Sequence, residues 1–417
     1  MLVDIKKANL EEFLKYKTLY YDKIDFTVVK SSWDKLSKKI KLPFVIHIVG
    51  TNGKGSTGRF LAHYLHKKKF KVLHYSSPHI MKFNERIWIN GSDVSDENLE
   101  FAHQFLQDLF EIELLEKLTY FEYTTLIAFY LSKDFDYLVL EAGLGGEFDA
   151  TNVVENNLSL ITTIGLDHQS FLGNTVEEIA ATKMRSVDNK MLIGYQVFPE
   201  VIETADEVKK QILEQRNKSI EIIEVKDFEK YTINDKFASY LKRNLHLVIA
   251  CLTELKISID TQLFDDVPLF GRCQKIASNI TIDVGHNPLA ATVIAKEFEN
   301  KKIILIYNSY ADKDYVEVLK ILKPIIKELV IIELDDKRVV KKEELKKVIE
   351  GLSIAIKETI KIEKDEEYLV FGSFLVVEKF LSLIGFNESL WVFINIFEKQ
   401  LEILYIQKNK IDEEIEL

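Results

Sequence analysis

The segment GTNGKGS, from Gly50 to Ser56, holds the residues best suited to chemistry. Its glycines let the backbone approach phosphate oxygens without a Cβ in the way, Lys54 supplies a compact positive charge, and Ser56 supplies a hydroxyl. The spacing differs from the standard G-x-x-x-x-G-K-[ST] because Gly55 separates the lysine from the serine. An apolar run precedes the segment and a helical pattern follows it, so we predict a phosphate-binding loop. A plain surface turn is the alternative.

Three further apolar runs are followed at once by groups that can bind metal or phosphate. The runs at 72–75, 137–140 and 158–164 lead into Ser76-Ser77-Pro78-His79, Glu141 and Asp167-His168, respectively. In open α/β sheets, ligands collect at the carboxyl ends of the strands. A carboxylate there suits Mg²⁺, which prefers oxygen ligands. His168 alone would more often be a satisfied histidine than a ligand, but its place level with Glu141 makes it a candidate.

The elements that position these groups alternate along the chain. The apolar pattern predicts two helices over residues 8–41 and a strand at 44–49. It then predicts a helix after the glycine loop and a strand at 72–75. Asp265-Asp266-Val267-Pro268 interrupts the alternation, which restarts with strands at 281–282, 303–306, 329–332 and 368–371. We predict an α/β protein with a P-loop-type, mostly parallel sheet ATPase domain at 1–266. A smaller Rossmann-like α/β domain at 267–386 follows, with a cleft between the two.

The apolar spacing in residues 387–417 predicts a C-terminal amphipathic helical extension. Apolar side chains and one lysine recur there at spacings of three and four: Ile394, Phe397, Leu401, Leu404, Lys408, Ile411 and Ile415. A helix docked on its own domain is favoured over a coil that binds a partner.

Composition narrows the class of protein. The 417 residues carry a net charge of −11, which argues against a nucleic-acid-binding surface over the whole molecule. The two cysteines, Cys251 and Cys273, have neither metal-ligand spacing nor a disulfide framework, which fits a reducing compartment. No apolar run approaches the roughly 20 residues that span a bilayer. We therefore expect a cytoplasmic monomer that acts on small molecules, without nucleic-acid or membrane partners.

The run Gly143-Leu144-Gly145-Gly146 could be mistaken for a dinucleotide-binding fingerprint. It is followed by Glu147-Phe148-Asp149-Ala150-Thr151-Asn152 rather than by a helical pattern, so a Rossmann cofactor is rejected there. We predict a loop that lines a substrate site, and a tight turn is the alternative.

Ten motifs in order give the chain a family resemblance. They are GTNGKGS at 50–56, SSPH at 76–79, FNERI at 83–87, LTYFEY at 118–123, LEAGLGGEFDATN at 140–152, GLDHQSFLGNT at 165–175, GR at 271–272, DVGHNP at 283–288, ADKD at 311–314 and GSF at 372–374. From about residue 8 to about residue 380, the chain resembles the dihydrofolate synthase/folylpolyglutamate synthase family of the Mur ligase superfamily.

The resemblance implies an ATP-dependent ligase. It would join L-glutamate to dihydropteroate, forming dihydrofolate, and/or to the glutamate tail of reduced folates, through an acyl phosphate. By resemblance, the catalytic residues are Lys54, Lys183 and His286, and the metal ligands are Ser77, Glu141 and His168. The residues implied to bind ATP are Gly53, Lys54, Gly55, Ser56, Asn244, Arg272 and Asp283. The residues implied to bind the pterin are Thr119, Tyr120, Phe121, Glu122, Phe148, Asp149 and Ala150. ATP and Mg²⁺ are implied, and a second Mg²⁺ and a monovalent cation are left open.

Two departures from the family pattern stand out. The family usually has arginine where this chain has Glu147, so the electrostatics of the substrate loop differ. The family pattern E-K-A-G-I is replaced by Thr182-Lys183-Met184-Arg185-Ser186. Lys183 is present and could carry the family's carbamate, and a plain surface lysine is the alternative.

Two other functions compete with this interpretation. A Mur-type ligase acting on a peptidoglycan precursor would share the loop and the fold, but LTYFEY and GGEFDATN favour the folate branch. A P-loop NTPase switch would need no glutamate, and the DVGHNP segment argues against it. Because Arg272 and Asp283 come from the second domain, we expect domain closure to assemble the site.

Overall fold

A computed structural model describes residues 6–18, 25–226 and 231–386. Its first sheet has eight strands in the order β4-β3-β2-β5-β1-β6-β7-β8. Six of them are parallel, and β3 and β4 add an antiparallel edge beside β2. The strands are β1 (Phe44–Val49), β2 (Val72–Tyr75), β3 (Ile87–Ile89), β4 (Ser92–Asp93), β5 (Tyr137–Glu141), β6 (Leu158–Ile161), β7 (Lys190–Ile193) and β8 (Glu221–Glu224).

Helices cover both faces of this sheet. They are α1 (Leu10–Lys15), α2 (Phe26–Leu36), α3 (Lys54–Lys67), α4 (Asp96–Leu109), α5 (Ile112–Lys117), α6 (Tyr120–Leu131), α7 (Gln169–Leu172), α8 (Val176–Met184), α9 (Glu200–Arg216) and α10 (Ser239–Glu254). Along β5, Leu138 and Leu140 join one apolar cluster, whereas Val139 joins a different one. Because both faces are buried, such strands appear in the sequence as continuous apolar runs.

A second sheet of six strands follows in the order β13-β12-β11-β14-β10-β9, with β9 antiparallel at its edge. Its strands are β9 (Gln274–Ala277), β10 (Ile280–Asp283), β11 (Ile303–Tyr307), β12 (Ile326–Ile331), β13 (Ala355–Ile356) and β14 (Glu367–Phe371). Its helices are α11 (Pro288–Glu297), α12 (Tyr315–Leu322), α13 (Lys342–Gly351) and α14 (Phe374–Leu383). The predicted fold class, two successive α/β units, is confirmed.

The strand predictions differ most from the structure in β6 and in β12, which spans Ile326–Ile331 rather than the predicted 329–332. The bounds of β1 and β2 agree with the prediction, but β6 ends at Ile161 rather than at 164. The carbonyl of Thr163 instead accepts hydrogen bonds from the amides of Thr51 and Asn52 at 3.0 and 3.1 Å. The residues beyond β6 thus hold the glycine loop rather than extending the ladder.

Two expectations concern other parts of the chain. The predicted amphipathic helix at 387–417 lies outside the described residues. Among the residues that are described, no helix is long and apolar enough to cross a membrane.

Candidate active site

The glycine loop connects β1 to α3, which begins at Lys54. Gly53 has a φ of 90°, a conformation that L side chains rarely adopt, and an added Cβ would lie 2.8 Å from the Asn244 Oδ1 atom. The amides of the first helical turn have no acceptor within the helix, so they are available to an anion. Asn244 also donates from Nδ2 to the Ser56 hydroxyl at 2.8 Å. Loop and helix together have the geometry that an anion site requires, and phosphate binding there stays a prediction.

Lys54 and Glu141 face each other across this site. The Lys54 ammonium donates to the carbonyls of Gly50 and Thr51 at 3.1 and 3.4 Å. Glu141 ends β5 and is buried; burial raises its pKa, while Lys54 and Arg272 oppose that shift. The Ser77 amide donates to the Glu141 carboxylate at 3.3 Å. The ends of β2 and β5 therefore meet beside the glycine loop.

The second sheet contributes Arg272 and Asp283 to the same cleft. A Cβ added to Gly55 would lie 3.3 Å from the Arg272 Nη2 atom, so the guanidinium reaches the loop. Asp283 is buried at the end of β10, where its carboxylate accepts from the Tyr240 hydroxyl at 2.9 Å and from the Cys273 amide at 2.8 Å. Burial raises the pKa of Asp283, and Arg272 lowers it.

A pair of asparagines joins the two sheets at this point. The Asn52 and Asn287 side chains exchange two amide hydrogen bonds of 3.0 and 2.9 Å. Asn287 also caps α11, because its side chain accepts from the Ala290 amide. Neither asparagine was among the predicted site residues, although both lie within motifs of the resemblance.

Asp167 forms a second link between the sheets. Its carboxylate lies 2.6 Å from the Lys313 ammonium and 3.8 Å from the His286 Nε2 atom, and it accepts from Asn287 at 3.3 Å. Burial opposes ionisation of Asp167, but the charges of His168, Lys313 and His286 lower its pKa well below the ordinary value. Asp167 was noted at the end of its strand, but its contact with Lys313 was missed, because the sequence does not indicate that the two residues meet.

His168 lines the cleft next to this cluster. Burial lowers its pKa to about 4, so the imidazole is neutral near pH 7 and has a lone pair for a metal ion. Lys313 currently lies 3.4 Å from its Nε2 atom. In the described part of the chain, no group of three or more His, Cys, Asp or Glu residues could hold a metal. The predicted set, Ser77, Glu141 and His168, contains only two such residues, and it suits an ion bound largely through phosphate oxygens.

Lys183 projects into the cleft from the last turn of α8. It is 4% exposed, so it is not a plain surface lysine. Burial, followed by the charge of Lys54, lowers its pKa to about 7. A substantial fraction of the amine is therefore uncharged near neutral pH.

The segment 118–123 lies at the start of α6. Thr119 caps the helix, and the buried Glu122 carboxylate accepts from the Thr119 amide and hydroxyl at 2.9 and 2.8 Å. The Phe121 ring packs against the backbone of Gly143, and the Arg86 guanidinium lies 5.2 Å from the centre of the Tyr120 ring. The Glu122 carboxylate thus serves the helix cap. The Phe121 ring lies next to the loop at residues 143–149, here called the glycine-rich loop, and the Tyr120 ring lies next to Arg86.

The glycine-rich loop is held by Asp149. The buried carboxylate accepts from the Leu144 amide at 2.7 Å and from the Thr151 hydroxyl at 2.6 Å. Ala150 is buried beside it, while the Phe148 side chain is 54% exposed and makes an edge contact with Phe26.

The cavity at the bottom of the cleft has a volume of about 210 Å³. Among the predicted site residues, it is lined by Gly53, Lys54, Gly55, Ser56, Ser77, Glu141, His168, Lys183, Arg272, Asp283 and His286. Of the glycine-rich loop, residues 143–145 also line it. Asn244, residues 119–122 and residues 148–150 lie outside this lining and reach it through neighbours.

Comparison with known proteins gives consistent results. Residues 48–281 match the family model of the Mur ligase middle domain. The chain is 31% identical over 437 residues to the dihydrofolate synthase/folylpolyglutamate synthase of Haemophilus influenzae, covering 90% of this chain and 98% of the relative. Helicobacter pylori folylpolyglutamate synthetase is 39% identical with a TM-score of 0.69, covering 89% and 97% of the two chains. A bifunctional folylpolyglutamate synthase/dihydrofolate synthase with Mn, AMPPNP and L-glutamate bound, 22% identical, has the same fold (TM-score 0.76; 91% and 99% covered).

Proposed function

This chain belongs to the dihydrofolate synthase/folylpolyglutamate synthase family, and we propose that it uses ATP to join L-glutamate to dihydropteroate, to the glutamate tail of reduced folates, or to both. It is an ATP-dependent ligase that forms an amide from a carboxylate and an amine. The observation that carries the proposal is one shared cleft. It is lined by Lys54 at the start of α3, Glu141 at the end of β5, Arg272 just before β9 and Asp283 at the end of β10.

The proposed reaction has two steps. A carboxylate is a poor acyl donor, so its oxygen first attacks the γ-phosphorus of ATP, which gives an acyl phosphate and ADP. The neutral amine of L-glutamate then attacks the acyl carbon, expels phosphate and loses a proton, which leaves the amide. Lys54 and Arg272 would stabilise the charge on the phosphoryl oxygens in the first step.

A divalent cation fits the donors beside the loop. Glu141, the Ser77 hydroxyl and the neutral His168 would hold it, together with phosphate oxygens. When bound, such an ion would neutralise charge on the phosphates of ATP. The manganese in the bifunctional relative supports the use of a divalent cation.

Lys183 is proposed to carry a carbamate. An uncharged amine can add to CO₂, and the lowered pKa of Lys183 provides that form near neutral pH. The product would be an anion placed between Lys54 and the loop at residues 143–149, where it would suit a second divalent ion.

Domain limits, assembly and location are also proposals. We place the ATP-binding domain at 1–266 and the C-terminal domain at 267–386, in line with the two separate sheets. Small-molecule substrates and a cleft completed within one chain are compatible with a monomer that works in the cytoplasm.

The test is release of ADP that depends on glutamate. Purified enzyme with ATP and Mg²⁺ is given dihydropteroate or, separately, tetrahydrofolate, with L-glutamate present, absent or replaced by D-glutamate. We expect turnover only with L-glutamate and at least one acceptor. ADP release that does not depend on L-glutamate would favour the switch alternative, and no turnover with either acceptor would overturn the proposal.

A further inference from the structure

Glu147 and Arg185 form an ion pair between the glycine-rich loop and the end of α8. The Arg185 Nε atom lies 2.5 Å from the Glu147 carboxylate, and Nη2 donates to the Thr182 hydroxyl at 3.2 Å. The Arg185 and Glu147 side chains are only 25% and 21% exposed, respectively. An ion pair sheltered to this degree is screened less by solvent and salt than an exposed one.

Backbone contacts join the same two segments. The Glu147 amide donates to the Thr182 carbonyl at 3.0 Å. A Cβ added to Gly146 would lie 2.5 Å from the Lys183 carbonyl oxygen, so the loop rests directly on the last turn of α8. The loop is therefore seated against the turn that carries Lys183.

Hydrogen bonds within the loop also hold its backbone in place. Asn152 donates from Nδ2 to the Glu147 carbonyl at 2.9 Å, and Asp149 accepts from the Leu144 amide at 2.7 Å. A shift of Glu147 would consequently move residues 143–145, which line the cleft. The ion pair is thus connected to the cleft through a stiff segment.

From these contacts we propose that the Glu147–Arg185 ion pair positions the acceptor loop, residues 143–149, relative to Lys183 and so controls binding of the folate acceptor. The inference rests on the proposed function. Both residues belong to the departures from the family pattern, and the structure shows that these two departures are paired with each other. Glu147 and Arg185 are positioning residues, because neither lines the cleft.

Charge reversal tests this role. Glu147→Arg and Arg185→Glu are made singly and together, and kcat and KM are measured for acceptor, ATP and glutamate. We expect each single change to raise the KM for acceptor about tenfold and to leave the KM for ATP within about twofold. The double swap restores the ion pair, so its acceptor KM should return to within about threefold of the wild type.

Two further measurements separate positioning from mere stability. Hydrogen exchange at the Leu144 and Glu147 amides should speed up in each single variant and slow again in the double swap. The matched control is the ion pair between Lys190 of β7 and Glu254 of α10, at 2.6 Å with side chains 27% and 32% exposed; Lys190 also contacts Glu221 at 2.8 Å. Swapping its charges should leave the acceptor KM unchanged.

Several results would overturn the proposal. Single variants with unchanged acceptor KM and exchange would do so, as would a double swap as impaired as the single variants. Equal effects on the KM values of ATP and acceptor would also contradict it. If the wild type had no glutamate-dependent turnover, the proposed function would fall, whereas the exchange data would still decide whether the pair holds the loop.

Discussion

The two sides of the cleft are built in different ways. The side proposed to bind phosphate, here called the phosphate side, consists of backbone amides and Lys54 at the start of α3 and of groups at strand ends such as Glu141. The side proposed to bind the acceptor, here called the acceptor side, is a loop held by side-chain contacts, chiefly those of Asp149 and the Glu147–Arg185 pair. Backbone geometry tolerates few substitutions, whereas an ion pair can be rebuilt with other residues. This difference is consistent with the place of the two departures from the family pattern, Glu147 and Arg185, which form this ion pair.

The largest effect is expected on the phosphate side. Lys54→Ala removes the ammonium from the loop, and we expect kcat/KM for ATP to fall by roughly 10²–10³-fold, as for loss of a preorganised charge donor. Lys67→Ala, at the other end of the same helix, is the control and should have little effect. ADP release measures both. A loss of less than about tenfold for Lys54→Ala would mean that the phosphate side does not depend on this charge.

A second change tests the contribution of the other sheet to the phosphate side. Arg272→Ala removes the guanidinium that reaches Gly55 and Glu141, and kcat should fall by roughly 10²-fold. Arg272→Lys should recover part of the loss because it keeps the charge but not the planar fork. An unchanged kcat in the ADP-release assay would rule out a role for Arg272 in the closed site.

Lys183 lies between the two sides, and because its pKa is lowered we expect the free energy of unfolding to depend on pH. The buried amine has a pKa of about 7, so between about pH 7 and pH 10 the unfolded chain binds a proton that the folded chain does not. Stability should therefore rise with pH in this window. Relative to Lys183→Met, the wild type should gain about 2 kcal/mol from pH 7 to pH 9.

Urea unfolding of both proteins in CO₂-free buffer at pH 7, 8 and 9 gives this difference. The comparison between variants cancels the other titrating groups. Parallel pH profiles would show that Lys183 is not buried in the unmodified, unliganded protein.

The smallest effect is expected where the two sheets meet. Lys313→Met breaks the 2.6 Å contact with Asp167, yet Asn287 and His286 remain beside the carboxylate. We expect kcat/KM for ATP to fall by about tenfold, between the effects of exposed and fully buried pairs. Lys342→Met breaks the exposed contact with Glu333 and is the control. Equal effects of the two substitutions would argue against a link across the cleft.

Sequence predicted the parts of the site that depend on local pattern. The glycine loop and the bounds of β1 and β2 follow from an apolar run, a turn and a helix that are adjacent in the chain. Family resemblance supplied Arg272 and Asp283. The length of β6 was wrong because a tertiary contact of Thr163 with the glycine loop replaces the end of the strand.

The contacts that sequence missed join distant residues. Asn52 and Asn287 are 235 positions apart, and Asp167 and Lys313 are 146 apart. Glu147 and Arg185 are separated by 38 positions, and each was noted only as a departure from the family pattern. Pairing of this kind depends on the packing of the loop on α8 and on the approach of the two sheets, and neither can be read from a local pattern.

The central claim is that the acceptor carboxylate is activated by ATP before glutamate attacks. The most direct measurement uses dihydropteroate or a reduced folate whose reacting carboxylate carries ¹⁸O at both oxygens, with mass analysis of the released phosphate and of the folate product. One ¹⁸O atom should appear in phosphate for each glutamate added. Phosphate without label, alongside ADP release at the same rate, would contradict the account.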